Sequence, residues 1–263
     1  MNIRRLAVFW VFLLFISSYF YACTSFKNIQ IDSPEGPRSC TVPLYKKKQV
    51  RVGKRSFAEK IAGSTVALVD FVEDDDDDSK SLRAYCTGVW VSTTRILTAA
   101  HCVDDLDDDE TVIGDMVKYA VKSDIYNVEK PQKYRNGIVV RYKKSKDLAL
   151  ISASIEDLPI HNTAFVTRQD IRPGDRVYGI GHTAGLLYTY MSGDVSAIRT
   201  TYTNPHDFKI KLIQVSIPNY FGNSGGGLFN EKGELLGICS FLNTRTSNLI
   251  FYIHADEVND FIK

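Results

Sequence analysis

Short apolar runs separated by turn residues are the feature that most constrains the fold of this chain. From Ser64 onward, stretches rich in Val, Ile, Leu and aromatic residues are punctuated by Gly, Asp, Asn and Pro. Many short strands with turn signals between them favour a β-sandwich or β-barrel, so the sequence predicts an all-β domain. The predicted strands are residues 66–72, 86–91, 95–99, 111–113, 136–142, 148–153, 176–180, 188–198, 209–215, 226–229, 235–241 and 250–253. Residues 256–262 have a helical spacing of apolar residues and are predicted to close the chain as a helix.

Length and charge narrow the class of protein. The chain has 263 residues, of which 44% are hydrophobic and 24% are charged, which suits one globular unit with a sizeable core. A net charge of +1 produces no global field, so nucleic acid is not predicted as a partner. The acidic runs at 74–78 and 104–110 are interpreted as solvated loops. Calcium binding by the second run is the alternative, although the glycine spacing of an EF-hand is absent.

The N-terminal segment predicts export from the cytoplasm. Arg4 and Arg5 precede residues 6–22, which carry no charge and are rich in Phe, Leu and Val. A basic stretch followed by an apolar one is the layout of a signal peptide, and this apolar stretch is slightly short for a transmembrane helix of about 20 residues. Residues 1–22 are therefore predicted to be a signal peptide or membrane anchor. Residues 23–60 are predicted to be a tether with one short helix near 57–61, and residues 61–263 to be the folded domain.

The residues that end the apolar stretch favour a lipid anchor. Phe20-Tyr21-Ala22-Cys23 resembles a bacterial lipobox, and the resemblance implies lipidation of Cys23 as the first residue of the mature protein. Phe20 and Tyr21 depart from the leucine and the small residue that are usual there. Ordinary cleavage and an uncleaved anchor are the alternatives, and all three place the protein outside the cytoplasm.

A glycine-rich segment near the C-terminus is unsuited to a core strand. It runs from Gly222 to Gly227 with the sequence Gly-Asn-Ser-Gly-Gly-Gly, and glycine loses more backbone freedom on folding than any other residue. A loop whose backbone must approach a ligand closely favours such a composition. If Ser224 is a nucleophile, the surrounding amides are able to bind a developing oxyanion. Taken alone, however, the segment favours a flexible surface turn.

Two further motifs contain the groups that a nucleophilic serine requires. The sequence Leu-Thr-Ala-Ala-His-Cys contains His101, and Asp147 begins the sequence Asp-Leu-Ala-Leu-Ile. A serine needs a base to take its proton, and the base needs a carboxylate that fixes its tautomer. His101, Asp147 and Ser224 occur in this chain order, each at the edge of an apolar run. The three motifs together resemble the trypsin-like serine protease superfamily over about residues 64–263.

This resemblance implies both a fold and a catalytic apparatus. The implied fold is two antiparallel six-stranded β-barrels followed by a C-terminal helix. The implied triad is Ser224 as nucleophile, His101 as general base and Asp147 as the carboxylate that orients the base. The amides of Gly222 and Ser224 would form the oxyanion hole, and no metal or organic cofactor is implied. The aspartates between 104 and 109 are poorer candidates than Asp147, because none is followed by the apolar strand of the family motif.

The second half of the domain resembles the bacterial HtrA/Deg-like protease domains more closely than the digestive enzymes. The residues that carry this resemblance are 172–181, 185–196, 222–229 and 233–238. The chain stops at Lys263, so a protease domain without a PDZ domain is expected. Gly227 departs from the proline or alanine that is often found at its position.

Asn223, the residue before the implied nucleophile, indicates how the implied site is activated. Digestive trypsin-like enzymes have an aspartate directly before the nucleophile, and it pairs with a new N-terminus that zymogen cleavage frees. Asn223 cannot form that ion pair, so activity is predicted not to require such processing.

His182 is predicted to lie in a loop that borders the site, with an ordinary surface-loop histidine as an alternative of equal weight.

Specificity is assigned by the resemblance to residues near the nucleophile. Ser240, Phe241 and Leu242 are implied to line the substrate backbone and the S1 pocket, and Asn219 lies near the base of that pocket. No aspartate occurs there, so a preference for Lys or Arg is disfavoured. Leu242 replaces the glycine that leaves an S1 pocket open, which predicts a shallow pocket for small or medium apolar side chains.

Five cysteines give partly independent support for export. The resemblance implies a disulfide between Cys86 and Cys102, and such bonds persist in exported proteins. Cys239 is predicted to be a buried thiol, with a Cys40–Cys239 disulfide as the alternative. No Cys-x-x-Cys or grouped His/Cys spacing occurs, so no zinc site is predicted.

The sequence therefore predicts an exported, membrane-tethered serine endopeptidase that acts on polypeptide substrates in the cell envelope. Two alternatives stay open. One is a protease-fold binding protein without activity, and the other is an envelope lipoprotein in which proteolysis is incidental. The oligomeric state is left open.

Overall fold

The computed structural model describes residues 56–73, 80–104, 113–122, 133–153, 163–167, 169–203, 208–218, 221–242 and 249–263. The predicted signal peptide or anchor, Cys23, Cys40 and Asn219 lie outside the described residues. The same holds for most of the predicted tether and for the acidic runs apart from Asp104.

Twelve strands among the described residues form two closed barrels, each of six antiparallel strands. The first barrel contains β1 (Thr65–Glu73), β2 (Lys80–Ser92), β3 (Arg95–Thr98), β4 (Met116–Val121), β5 (Arg135–Lys143) and β6 (Leu148–Ser152), in the order β1-β2-β3-β6-β5-β4. The second contains β7 (Arg176–Gly181), β8 (Thr189–Thr203), β9 (Phe208–Val215), β10 (Gly227–Phe229), β11 (Leu235–Leu242) and β12 (Ile250–His254), in the order β10-β11-β12-β9-β8-β7. The predicted two-barrel fold is confirmed.

Strand β1 shows why its sequence is a continuous apolar run. Val66 and Leu68 belong to the core of the first barrel. Ala67 and Val69, on the opposite face, pack in a separate cluster with Leu187, which lies just before β8. Because both faces of the strand are covered, each of these positions needs an apolar residue. The contact with Leu187 also joins the first barrel to the second.

Helix α1 (Phe57–Ala62) precedes the first strand, as predicted. Its N-terminus has a capping box, in which the Ser56 hydroxyl accepts from the Glu59 amide and the Glu59 carboxylate accepts from the Ser56 amide. Among the described residues, neither this helix nor the C-terminal one is long and apolar enough to cross a bilayer.

Helix α2 (Ala255–Ile262) closes the chain, which confirms the predicted C-terminal helix. His254 is its N-cap, and the imidazole Nδ1 accepts from the Asp256 amide at 3.0 Å. Val258 and Phe261 are buried in the larger hydrophobic cluster, which includes residues of both barrels. The apolar face that the sequence pattern indicates is therefore the face that packs.

The predicted strand at 111–113 is wrong at Ile113, which lies in a turn with Gly114. Gly114 has a φ of 103°, a left-handed conformation that glycine adopts without steric cost. Its amide donates to the Val139 carbonyl at 2.8 Å, and β4 starts two residues later at Met116. The Gly-Asp turn signal thus separates Ile113 from the strand that begins at Met116.

Candidate active site

The end of β3 and the start of β6 bring His101 and Asp147 together. The two strands pair antiparallel, so the residues just after β3 lie beside those just before β6. His101 lies in a one-turn 3₁₀-helix, Ala100–Cys102, and Asp147 follows a second one, Lys144–Lys146. His101 Nδ1 lies 3.0 Å from both carboxylate oxygens of Asp147.

The Asp147 carboxylate is held by further donors. The main-chain N–H of His101 donates to Oδ1 at 3.0 Å, and the Ser240 hydroxyl donates to Oδ2. Asp147 itself has a φ of 51°, a left-handed conformation that aspartate tolerates better than most residues. Because an ionised carboxylate only accepts, Nδ1 of His101 carries the ring proton and Nε2 is left as an acceptor. The His101 side chain is 38% exposed, so the ring is accessible to a substrate.

Asp104, the described aspartate of the second acidic run, has partners other than His101. Its carboxylate accepts from the Tyr142 hydroxyl, and Lys144 Nζ lies 3.0 Å away. Burial raises the pKa of this carboxyl, but the hydrogen bond from Tyr142 and the interaction with Lys144 together bring it below its usual value. Asp104 is therefore a structural carboxylate on the Tyr142 side of the turn.

The Cys86–Cys102 disulfide ties β2 to the turn that carries His101. The two sulfur atoms are bonded, the Cα atoms lie 6.1 Å apart, and both residues are buried. The sulfur atoms and a ring nitrogen of His101 lie within 4.8 Å of one another. Sulfur in a disulfide is not the thiolate that binds a metal, so this grouping is not a metal centre.

Ser224 lies in a tight loop that needs glycine at two positions. Gly222 has a φ of 99° and Gly225 a φ of 80°. A Cβ on Gly222 would lie 2.2 Å from the His182 carbonyl oxygen, and one on Gly225 would lie 2.1 Å from Thr98 Oγ1. Both glycines are therefore required by close packing as well as by backbone conformation.

Strand β2 of the first barrel holds this loop through Thr87. The Thr87 amide donates to the Ser224 carbonyl at 2.8 Å, and the Thr87 hydroxyl donates to the Gly222 carbonyl at 2.7 Å. Thr87 is fully buried, so both bonds are shielded from water. Because Cys86 precedes Thr87, one segment of β2 contacts both the His101 turn and the Ser224 loop.

The peptide groups that carry the two predicted oxyanion-hole amides are anchored through their carbonyl oxygens. The Phe221 carbonyl accepts from the Ala184 amide at 2.8 Å, and the Asn223 carbonyl accepts from the Gly226 amide at 2.9 Å. In a trans peptide the N–H points away from the C=O, so both amides are directed away from these partners. Within the described part of the chain, neither amide donates to a protein acceptor.

The predicted triad residues lie on the two barrels as follows. His101 and Asp147 are in direct contact at the edge of the first barrel, and Ser224 is bonded to that barrel through Thr87. In the described residues no hydrogen bond joins the Ser224 hydroxyl to His101. In hydrolytic sites a serine–histidine hydrogen bond is often long or poorly aligned before substrate binds.

His182 is buried, so the surface-loop alternative is wrong. The residue is 0% exposed, its Nδ1 accepts from the Tyr188 amide at 3.2 Å, and its ring meets the Tyr188 ring edge-on with 4.9 Å between centroids. Burial lowers the pKa of His182 to about 4, and the nearby main chain of Val66 opposes this shift. The ring is therefore neutral in the folded protein at physiological pH.

Of the predicted specificity residues, Ser240 is the one whose side chain is described. It is 6% exposed, and its hydroxyl is bonded to Asp147, so this side chain supports the carboxylate. Phe241 and Leu242 belong to β11. Asn219 lies outside the described residues, and the S1 preference stays a prediction.

The sequence motifs do not indicate the contacts of Thr87 and Thr183. Thr87 bonds Gly222, which lies 135 positions later, and Thr183 bonds Asn223, 40 positions later. The position of Thr87 directly after a half-cystine of the predicted disulfide is the one local signal for its role. Cys239 is buried, as predicted, and its predicted alternative partner lies outside the described residues.

A family comparison agrees with the fold and with these motifs. Residues 86–238 match the family described as the trypsin-like peptidase domain. This span is more than half of the 263 residues. The chain therefore belongs to the trypsin-like peptidases.

Individual relatives show how far the similarity extends. A probable periplasmic serine endoprotease DegP-like from Marinomonas sp. is 32% identical over 155 residues, which cover 59% of this chain and 29% of that protein. The anti-sigma-I factor RsgI9 of Acetivibrio thermocellus is 26% identical over 205 residues, which cover 78% of this chain and 25% of that protein. The matched region is thus less than a third of either relative.

A solved structure shares the two-barrel architecture. The active form of the Rv3671c protease from M. tuberculosis aligns with a TM-score of 0.60 over 84% of this chain and 91% of that chain. The sequence identity is 18%, so the similarity is one of fold.

Proposed function

We propose that this chain is a serine endopeptidase that hydrolyses polypeptide substrates outside the cytoplasm. The observation that carries the proposal is the Asp147 carboxylate, which holds His101 through both its ring and its amide and also accepts from Ser240. This arrangement leaves Nε2 of His101 free to accept a proton. Family membership and the similarity to a protein named as a periplasmic endoprotease support the same activity.

The proposed mechanism uses groups of the chain alone. Ser224 Oγ attacks the peptide carbonyl carbon while His101 Nε2 takes the hydroxyl proton. The amides of Gly222 and Ser224 stabilise the negative charge on the carbonyl oxygen. His101 then gives the proton to the leaving amine, and Asp147 stabilises the transient imidazolium. Water activated by His101 hydrolyses the acyl-enzyme and regenerates the hydroxyl.

Cleavage of a mixed peptide library by the full chain in mild detergent tests this activity. The wild type, Ser224→Ala and the matched control Ser196→Ala are compared, with products identified by mass spectrometry. Ser196 is an exposed serine of β8, outside the proposed site. We expect cleavage by the wild type and the control alone. Equal cleavage by Ser224→Ala, or none by folded wild type, would contradict the proposal.

The same library determines the proposed S1 preference. Leu242 in place of a small residue supports a shallow pocket, so products should end in small or medium apolar side chains. A preference for Lys or Arg at the cleaved bond would overturn this assignment.

Activity is proposed to be independent of trypsin-type processing. Asn223 is 2% exposed, and its Oδ1 accepts from the Thr183 hydroxyl at 3.0 Å, so the residue before the nucleophile has a partner within the domain. A variant in which trimming between Thr24 and Ser64 is abolished should therefore remain active. Loss of activity in that variant would show that a new N-terminus is needed.

Attachment to a membrane through Cys23 is proposed from the N-terminal sequence. Metabolic labelling with a tagged fatty acid in a bacterial host should label the wild type and leave Cys23→Ala unlabelled. An unlabelled wild type in the membrane fraction would favour an uncleaved anchor, and one in the soluble fraction would favour ordinary cleavage.

A protease-fold binding protein is the alternative function. The observation in its favour is the similarity to a protein named as an anti-sigma factor. It predicts a folded wild type that cleaves no peptide and an unchanged cellular phenotype for Ser224→Ala.

A further inference from the structure

The turn after β7 contacts the nucleophile loop through two hydrogen bonds. The Ala184 amide donates to the Phe221 carbonyl at 2.8 Å, and the Thr183 hydroxyl donates to Asn223 Oδ1 at 3.0 Å. We call residues 182–186 the supporting turn. Its two bonds reach the residues that directly precede the two proposed oxyanion-hole amides.

Gly222 depends on contacts with its neighbours because it has no side chain that would limit its own backbone rotation. A glycine at a φ of 99° has no side chain that would resist rotation of the neighbouring peptide planes. The bond from Ala184 fixes the plane before Gly222. A Cβ on Gly222 would lie only 2.2 Å from the His182 carbonyl oxygen, so the supporting turn packs closely against the side of Gly222 where a side chain would be.

The side chain of Asn223 is locked in one place behind the loop. It is 2% exposed and lies against Gly181, where an added Cβ would be 2.0 Å from Oδ1. Its Nδ2 lies 3.6 Å from Met191 Sδ, a weak acceptor. The Thr183 hydroxyl donates to Oδ1, and loss of a donor to a buried amide oxygen is costly, so this bond favours the observed orientation of the side chain.

The supporting turn is itself fixed by its surroundings. The buried ring of His182 accepts from the Tyr188 amide, and the His182 carbonyl accepts from the Gly185 amide at 3.1 Å. Ala184 has a φ of 51°, which is strained for a residue with a side chain. Such strain persists where neighbouring contacts determine the conformation, and it is common at functional sites.

We propose that Thr183 is a positioning residue, which acts through Asn223 to hold the amides of Gly222 and Ser224 in the orientation that binds the oxyanion. The inference rests on the proposed peptidase function. In digestive enzymes a new N-terminus supports the oxyanion hole. Here a threonine inside the domain would supply that support.

Enzyme kinetics of Thr183 variants in the full chain test this role. Thr183→Val keeps the shape of the side chain and removes the hydroxyl, and Thr183→Ser keeps the hydroxyl. The substrate is a peptide that the wild type cleaves, and the inhibitor is the corresponding peptide aldehyde, whose adduct with Ser224 carries an oxyanion. Because loss of one oxyanion donor costs about 10²–10³ in kcat, misplacement of a donor should cost on the order of tenfold.

We expect Thr183→Val to lose this factor in kcat and in aldehyde affinity, with KM unchanged, and Thr183→Ser to stay near wild type. The matched control is Thr189→Val, which removes a hydroxyl that donates to the Leu186 carbonyl at 2.9 Å at the other end of the same segment. The control should keep its kcat. Thr183→Ala gives a second test, with the same expected loss, if Thr183→Val does not fold.

The proposal is overturned if the hydroxyl-free variants keep wild-type kcat and aldehyde affinity. It is also overturned if Thr183→Ser fails to restore them, or if Thr189→Val loses as much, since the effect would then be general loosening of the turn. A folded wild type that neither cleaves the library nor binds the aldehyde would instead show that the proposed peptidase function is wrong.

Discussion

Acidification should destabilise this protein through His182. The pKa of the buried ring is lowered from 6.5 to about 4, chiefly because burial disfavours the charged form. In the unfolded chain the ring binds a proton near its ordinary pKa. Between these two values the unfolded state therefore binds more protons than the folded state, and folding stability falls as the pH falls.

The size of this effect follows from the two pKa values. Each tenfold change in proton affinity corresponds to about 1.4 kcal/mol, so the drop from 6.5 to about 4 amounts to roughly 3 kcal/mol. The full contribution is present above pH 6.5 and is lost by about pH 4. Since small domains are stable by only about 5–15 kcal/mol, this is a large share of the total.

The contacts of the ring explain why protonation is unfavourable. Nδ1 accepts from the Tyr188 amide, and a protonated Nδ1 would direct its N–H at that donor. The Val66 main chain is the nearby group that favours the charged form.

Urea unfolding of the wild type and of His182→Asn between pH 7 and pH 4 isolates this contribution. Asparagine offers an acceptor oxygen but does not titrate, so the variant should be less stable at pH 7 and lose less stability on acidification. His254, whose pKa is lowered by burial and by Lys211, contributes a slope of the same sign to both proteins and cancels in the difference. Parallel stability curves for the two proteins would refute the assignment to His182.

Three further predictions concern the triad, the disulfide and the core. Asp147→Asn should lower kcat about 10⁴-fold with little change in folding, because the asparagine favours the wrong tautomer of His101. A peptide-cleavage assay measures kcat, and a thermal melt measures the stability of the variant. Replacing Cys86 and Cys102 by alanine should lower the free energy of unfolding by about 3 kcal/mol for a loop of 16 residues, measured by urea titration. Phe261→Ala should cost about 3–5 kcal/mol in the same titration, because its ring is buried in the larger hydrophobic cluster.

Three results would contradict the predictions for Asp147, the disulfide and Phe261. An unchanged kcat in Asp147→Asn would remove the carboxylate from the mechanism. Equal stability with and without the disulfide would indicate that the unfolded chain is not constrained by it. A change below about 1 kcal/mol for Phe261→Ala would show that α2 does not contribute to the core as described.

The sequence predicts those parts of the candidate site that lie in short, local motifs. His101, Asp147 and Ser224 each lie in a run whose residue types are tied to one strand end, so the motifs make them candidates without knowledge of the fold. Strands such as β1 are also predictable, because a strand covered on both faces is apolar at consecutive positions.

The contacts between these motifs are not predictable in the same way. The Ser240 hydroxyl reaches Asp147 across 93 positions, and Thr87 reaches Gly222 across 135. Such pairs depend on how two barrels pack, and neither partner carries a signal of the other. His182 is a similar case, since a single histidine beside glycine and threonine has the composition of a surface loop but is fully buried.

Labelling with a fluorophosphonate probe shows directly whether Ser224 is an activated nucleophile. The probe phosphonylates a serine hydroxyl that a neighbouring histidine activates, with loss of fluoride, and peptide mapping by mass spectrometry locates the adduct. We expect an adduct on Ser224 of the wild type and none on Ser224→Ala or His101→Ala. A folded wild type without an adduct, or with an adduct on another residue, would contradict the assignment of Ser224 as the nucleophile.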